Sequence, residues 1–170
     1  MLKKMLAWAL PFAAALLVAA CAGDASEGGK KSDGFAKEAA QGGMAEVQMG
    51  KLAAERGGSA AVKLFGQRMV DDHTKANMEL NRLAAGKNIA LPQDLSSEQK
   101  SMMDKLSKLA GADFDKEYVG MMVEDHEHDV EAFQTQSEKG DDPEVRAFAT
   151  KTLPTLRDHL QMIKDIKSKM

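Results

Sequence analysis

Apolar residues recur every three or four positions along four long stretches of the chain, the period of an α-helix that buries one face. Val62, Phe65, Met69, His73, Ala76, Leu80 and Leu83 make one such series. Val119, Met122, His126, Val130 and Phe133 make a second, and Val145, Phe148, Thr152, Leu156, His159, Ile163 and Ile166 a third. The fourth face is built from small residues, Ala39, Gly43, Gly50 and Ala53, around Glu46. The punctuation agrees with this reading. One helix is predicted over about 34–56, stopping at Gly57-Gly58, and a second from a Ser59 cap to about Lys87. A third covers about 112–139 and ends at Gly140. The fourth opens on Asp142-Pro143, a cap with proline at the first helical position, and reaches nearly to Met170. Ser96 with Gln99 is a capping box for a short extra helix ending near Gly111, inside the connection between the second and third long helices. The expected fold class is all-α, a four-helix bundle whose short links make two antiparallel hairpins. The longer middle link either runs alongside the bundle or packs as a fifth helix.

Composition favours helices independently. Alanine (26) and leucine (16) outnumber valine plus isoleucine (11) in a chain of 170 residues, enough for one domain. A net charge of −3 gives no electrostatic reason to bind nucleic acid. A single cysteine excludes an internal disulfide and the cysteine-based zinc clusters.

The N-terminus reads as an address. Lys3 and Lys4 precede an apolar run over 5–20, too short for a comfortable membrane span and right for a secretory signal. The run ends in Leu17-Val18-Ala19-Ala20-Cys21, which looks like a bacterial lipobox; the other reading is an ordinary cleaved signal with an incidental cysteine. On the lipobox reading residues 1–20 are a lipoprotein signal peptide and lipidated Cys21 is the new N-terminus. Residues 21–33 are then a flexible tether of roughly 20 Å reach, and 34–170 the bundle. The partner is the membrane, through the lipid anchor. Ala22 lacks the aspartate that would suggest inner-membrane retention, so the expected location is the periplasmic face of the outer membrane.

The helical stripes carry ionisable residues at unusual positions. His73, His126 and His159 lie in phase with the apolar residues of their helices, Glu46 is inward on the small-residue face, and all four sit near mid-helix. Helix midpoints meet in a bundle, so one Glu and three His are delivered to one level. An aspartate precedes each histidine: Asp72, Asp125 and Asp158. Offset by about 100°, each lies beside its stripe, where it can reach a neighbouring helix and orient that helix's imidazole. His128 falls off the stripe and is expected in solvent. Two readings stand: a metal centre with Glu46, His73, His126 and His159 as ligands of one transition-metal ion (zinc, copper or iron), or a structural or protein-interaction module with a buried Asp–His network. Met49, Met69, Met122 and Met162, each one turn from an inward ionisable residue, would suit copper as thioether donors; filling the core is their commoner use. Pro154, five residues before His159, removes a backbone bond and should kink the fourth helix near the site, as a functional distortion or as a tolerated bend. No phosphate loop, Cys-x-x-Cys pair, Gly-x-Ser-x-Gly elbow or His-Glu-x-x-His occurs, and no catalytic residue is assigned.

Several segments resemble the bacterial family called domain of unknown function 4142: Gly42-Gly43-Met44-Ala45-Glu46-Val47, Met69-Val70-Asp71-Asp72-His73-Thr74, Phe114-Asp115-Lys116-Glu117-Tyr118-Val119, Asp125-His126 and Leu153-Pro154-Thr155-Leu156-Arg157-Asp158-His159-Leu160. The resemblance spans about 34–168. It implies a ferritin-like fold and an exported or outer-membrane protein, and it implies no activity. Ferritin-like di-iron proteins carry glutamate three residues before histidine, where this chain has Val70, Val123 and Leu156. A carboxylate-bridged di-iron centre is therefore not expected, and a single histidine-rich site is.

Overall fold

The computed structural model describes residues 25–170, with side chains from Lys31 onward. The lipobox, Cys21 and the signal run lie outside the described residues. Five helices follow in order: α1 (Ala25–Arg56), α2 (Ala60–Lys87), α3 (Ser97–Ser107), α4 (Gly111–Lys139) and α5 (Pro143–Lys167). None of them is long and apolar enough to cross a membrane.

Local chemistry sets the boundaries. The Ser59 hydroxyl accepts from the Val62 amide at the start of α2, and Asn88 ends that helix in the left-handed conformation at φ 58°. Ser96 and Gln99 close the expected capping box on α3, which stops at Ser107, somewhat earlier than expected. The Asp142 carboxylate accepts from the Glu144 and Val145 amides ahead of Pro143. Helix α5 runs unbroken through the exposed Pro154. The start of α1 departs from expectation. It begins at Ala25, so residues 25–33 are helix rather than tether. Ser32 explains part of this: it is buried, and its hydroxyl bonds Asp141, Gln136 and the Asp142 amide at the turn after α4.

The long helices pack in the cyclic order α1-α2-α5-α4, each hairpin closing one side. The C-terminal end of α1 meets the N-terminal end of α4, where the Arg56 guanidinium donates to the Ser107 carbonyl at 2.8 Å and Gly57 bridges Gly111. The Asp115 carboxylate accepts from the Gly58 and Ser59 amides at 2.7 and 2.8 Å, pinning the α1–α2 turn to α4. At the opposite end, Lys87 pairs with Asp142 at 2.7 Å. These contacts make α1 antiparallel to α4 and α2 antiparallel to α5. The segment 88–110 must therefore cross the length of the bundle, carrying α3 against α1 and α4. One long crossover is the connectivity of ferritin-like bundles.

Two apolar clusters fill the interior. One gathers Met49, Phe65, Met69, Tyr118, Met122 and Ile163, the other Ala40, Leu80, Phe133, Phe148 and Leu156. Along α2, α4 and α5 the inward histidine falls between them. Helices α1 and α2 touch backbone to backbone. A Cβ on Gly66 would lie 2.6 Å from the Gly50 carbonyl oxygen and 2.7 Å from the Ala53 Cβ. Gly66→Ala should therefore destabilise the protein by about 1–3 kcal/mol, read as a lower urea midpoint at unchanged slope. Gly86→Ala, with nothing within 4 Å of its Cβ, should not.

Candidate metal centre

The helical phase places the predicted residues where expected. Glu46, His73, His126 and His159 are all buried, none more than 5% exposed. The imidazoles form a triangle, with ring centres 5.9 Å (His73–His126), 5.3 Å (His73–His159) and 5.6 Å (His126–His159) apart. One ring nitrogen from each lies within 4.8 Å of one from each of the others. Zinc bonded at 2.0–2.1 Å would hold its ligands roughly 3.3 Å apart, so the three rings would have to draw together by up to about 1.5 Å to share one ion.

Each ring has one nitrogen engaged and the other without a partner. His73 Nδ1 lies 2.8 Å from Glu46 Oε2. His126 Nδ1 donates to the Met122 carbonyl at 2.9 Å, and His159 Nε2 to Asp72 Oδ2 at 3.0 Å. That leaves His73 Nε2, His126 Nε2 and His159 Nδ1 unpartnered, together with Glu46 Oε1 and the Tyr118 hydroxyl. Glu46 Oε1 and His126 Nε2 are 3.4 Å apart but not aligned to bond. Buried polar atoms are normally paired, because an unpaired one costs about 1–3 kcal/mol. Three unpartnered ring nitrogens beside an unpartnered carboxylate oxygen, with the rings' far nitrogens tied to carboxylates or a carbonyl, is how ligating histidines are held.

The preceding aspartates divide. Asp72 reaches from α2 to the α5 histidine, as expected. Burial pushes its carboxyl up, but the His159 bond and the Arg68 guanidinium outweigh burial and hold it below the usual range. Asp158 is exposed and orients no imidazole, because its flank of α5 faces solvent. Asp125 orients none either. Its carboxylate instead lies within 4.8 Å of Glu46 and His126, as a potential ligand in its own right. Sequence reasoning missed Asp129, one turn further along α4 on the same flank. The signal available was the Asp125-x-x-x-Asp129 spacing. His128 is exposed, as expected.

Burial disfavours charge on every ionisable group of the centre. Burial, reinforced by Asp125, holds the Glu46 carboxyl well above the usual range. Burial also raises Asp125 and, with help from Glu46 and Asp125, Asp129. The imidazoles move the other way. Burial lowers His73 against the pull of Asp129, Asp125 and Asp72, and it takes His126 down to about 3 and His159 down to about 4, repulsion from neighbouring rings adding to it in those two. Neutral rings offer lone pairs, and the carboxyls are held toward their neutral forms. Among the described residues no lysine or arginine is buried to supply positive charge.

Aromatic rings wall the site. Phe65 packs edge-on to His126 and His159, with centres 6.3 and 6.1 Å away, and also to Tyr118. Met49, Met69 and Met122 belong to the apolar cluster and Met162 borders it, which is the packing use of methionine.

No curated protein and no solved structure matches this chain. A family model does match, over residues 18–166, and it is described as a domain of unknown function. With most of the sequence inside that match and the buried Glu–His centre inside it too, the chain belongs to the DUF4142 family.

Proposed function

We propose that this protein is a lipid-anchored component of the cell envelope whose bundle binds one transition-metal ion at its centre. The observation that carries the reading is the ring of three imidazoles, each with one nitrogen fixed and one unpartnered, beside the unpartnered Glu46 Oε1. Three nitrogen donors and a carboxylate oxygen suit zinc, copper or iron. Asp72 would set the His159 tautomer, and the Met122 carbonyl that of His126. Glu46 would serve twice, one oxygen on the His73 ring and the other toward the metal. The anchor rests on Cys21 behind a run of small residues, and the outer-membrane, periplasm-facing location on Ala22 after it. No catalytic role is assigned.

The test is metal analysis of untagged protein from its own envelope, beside the variant Glu46→Ala/His73→Ala/His126→Ala/His159→Ala. Metal in the wild type and none in the variant is expected; equal content in both overturns the reading. Cys21→Ala should move the protein from the membrane fraction to the soluble one. The Glu46–His73 and Asp72–His159 pairs also fit a purely structural or protein-interaction module. On that alternative a chelator changes nothing and His73→Ala lowers the melting temperature of metal-free protein.

A further inference from the structure

A cleft of about 350 Å³ opens between α1, α4 and the crossover segment, and its lining is one-sided in charge. Glu38, Glu98, Asp125 and Asp129 contribute carboxylates, His128 an exposed imidazole, and among the described residues no lysine or arginine lines it. Glu38, Glu98 and His128 are exposed, whereas Asp125 and Asp129 are half-buried at its inner end. Acidic clusters alone are common on protein surfaces. This one differs in what lies behind it. Asp125 lines the cleft and also brings its carboxylate within 4.8 Å of Glu46 and His126. Glu46 is 1% exposed, and its Oε1 has no partner.

We infer that Asp125 and Glu46, whose carboxylates come within 4.8 Å of each other, form an oxygen-donor site for a divalent cation at the inner end of this cleft, with Asp129 adding its charge from the cleft lining. It is a transit station that receives the hydrated ion before the imidazoles do. Several features agree. The imidazole triangle is closed to solvent, so an ion needs a route. A cleft lined by one sign of charge concentrates counter-ions and speeds their arrival. Carboxylates exchange water for oxygen readily with hard or hydrated ions, whereas imidazoles bind the dehydrated transition metal more tightly. His128, whose Nδ1 lies 3.9 Å from Asp129 Oδ1, stands at the mouth. The fourth histidine thereby finds a use that the helical stripe did not give it. Only the last step, transfer to the imidazoles, rests on the centre proposed above.

Two probes separate the sites. Mn²⁺, followed by electron paramagnetic resonance, reports the oxygen site; Co²⁺, followed by its visible absorption, reports the imidazoles. The protein should bind Mn²⁺, and His73→Ala/His159→Ala should retain that binding. Asp125→Asn/Asp129→Asn, which keeps the side-chain shapes, should weaken Mn²⁺ binding about tenfold or more and slow Co²⁺ loading about as much, with the final Co²⁺ spectrum unchanged. Glu38→Gln/Glu98→Gln should slow loading mainly at low salt. Unchanged Mn²⁺ affinity and unchanged Co²⁺ rate in the double asparagine variant would overturn the inference, as would loss of Mn²⁺ binding in the double alanine variant. Absence of a Co²⁺ spectrum in every protein would count against the imidazole centre instead, leaving Mn²⁺ to decide on the cleft.

Discussion

Replacing Glu46 with methionine and His73, His126 and His159 with leucine should stabilise the metal-free protein by about 1–4 kcal/mol. For a domain of this size that is roughly 3–12 °C in melting temperature. The direction follows from the unpaired atoms. Glu46 Oε1 and one nitrogen of each imidazole are buried without partners, and side chains of similar volume remove that desolvation cost while extending the two flanking apolar clusters into each other. The two lost pairs, Glu46–His73 and Asp72–His159, offset part of the gain; Asp72 is left half-exposed and still bonded to Arg68. The same variant should lose all response to zinc. Wild type at a hundred times the dissociation constant should gain about 2.7 kcal/mol from the metal. A structural network predicts the reverse: the apolar variant melts lower than wild type, with or without metal. Calorimetry of both proteins in chelator and in zinc decides between these outcomes.

The level at which Glu46, His73, His126 and His159 meet was legible in the sequence because two local rules suffice for it. Caps at Ser59 and Asp142 fix where helices start, and the 3.6-residue period fixes which side chains turn inward. Which of Asp72, Asp125 and Asp158 would orient an imidazole was not legible, since all three occupy the same place relative to a histidine. A residue 100° off the stripe meets whichever helix stands on that flank, and only the order α1-α2-α5-α4 says which. From α2 that flank faces α5, so Asp72 finds His159. From α4 it faces α1, so Asp125 finds Glu46. From α5 it faces water, and Asp158 finds nothing. The crossover escaped for a similar reason: a connection of that length permits either topology until Asp115 and Arg56 bind one end and Lys87 the other. The early start of α1 also depends on a long-range partner, since Ser32 is fixed by the turn after α4 rather than by its neighbours in the chain.

The geometry also constrains what kind of metal site this chain could offer. The absence of glutamate three residues before each histidine argued for one nitrogen-rich site, and the imidazole triangle agrees. Yet Asp125 and Asp129 return carboxylates to the interior by another register, from the flank of α4. The result is asymmetric, with nitrogen donors on α2, α4 and α5 and oxygen donors where α4 faces α1. A cation drawn in from the oxygen side would thus meet donors of increasing affinity for transition metals along its way.

Lowering the pH should separate wild type from His126→Leu in the metal-free state. Burial takes the His126 pKa down to about 3, while an imidazole in the unfolded chain titrates near 6.5. Between those values the unfolded state binds a proton that the folded state refuses. The stability that neutral His126 permits is therefore fully present above about pH 6.5. It is lost as the pH falls toward 3, at about 1.4 kcal/mol per unit. Leucine has no proton to take up. From pH 6.5 to 4, the variant should gain about 3 kcal/mol on wild type. Glu46, Asp125 and Asp129, whose pKa values are raised, favour the folded state as the pH falls, but they titrate in both proteins and largely cancel in the difference. His159→Leu should follow the same course with a smaller span, since His159 is lowered only to about 4. Urea midpoints in chelator at half-unit steps provide the measurement. A difference that stays flat across the interval would mean that His126 exchanges protons freely in the folded protein, and that the interior is open to water where the centre needs it closed.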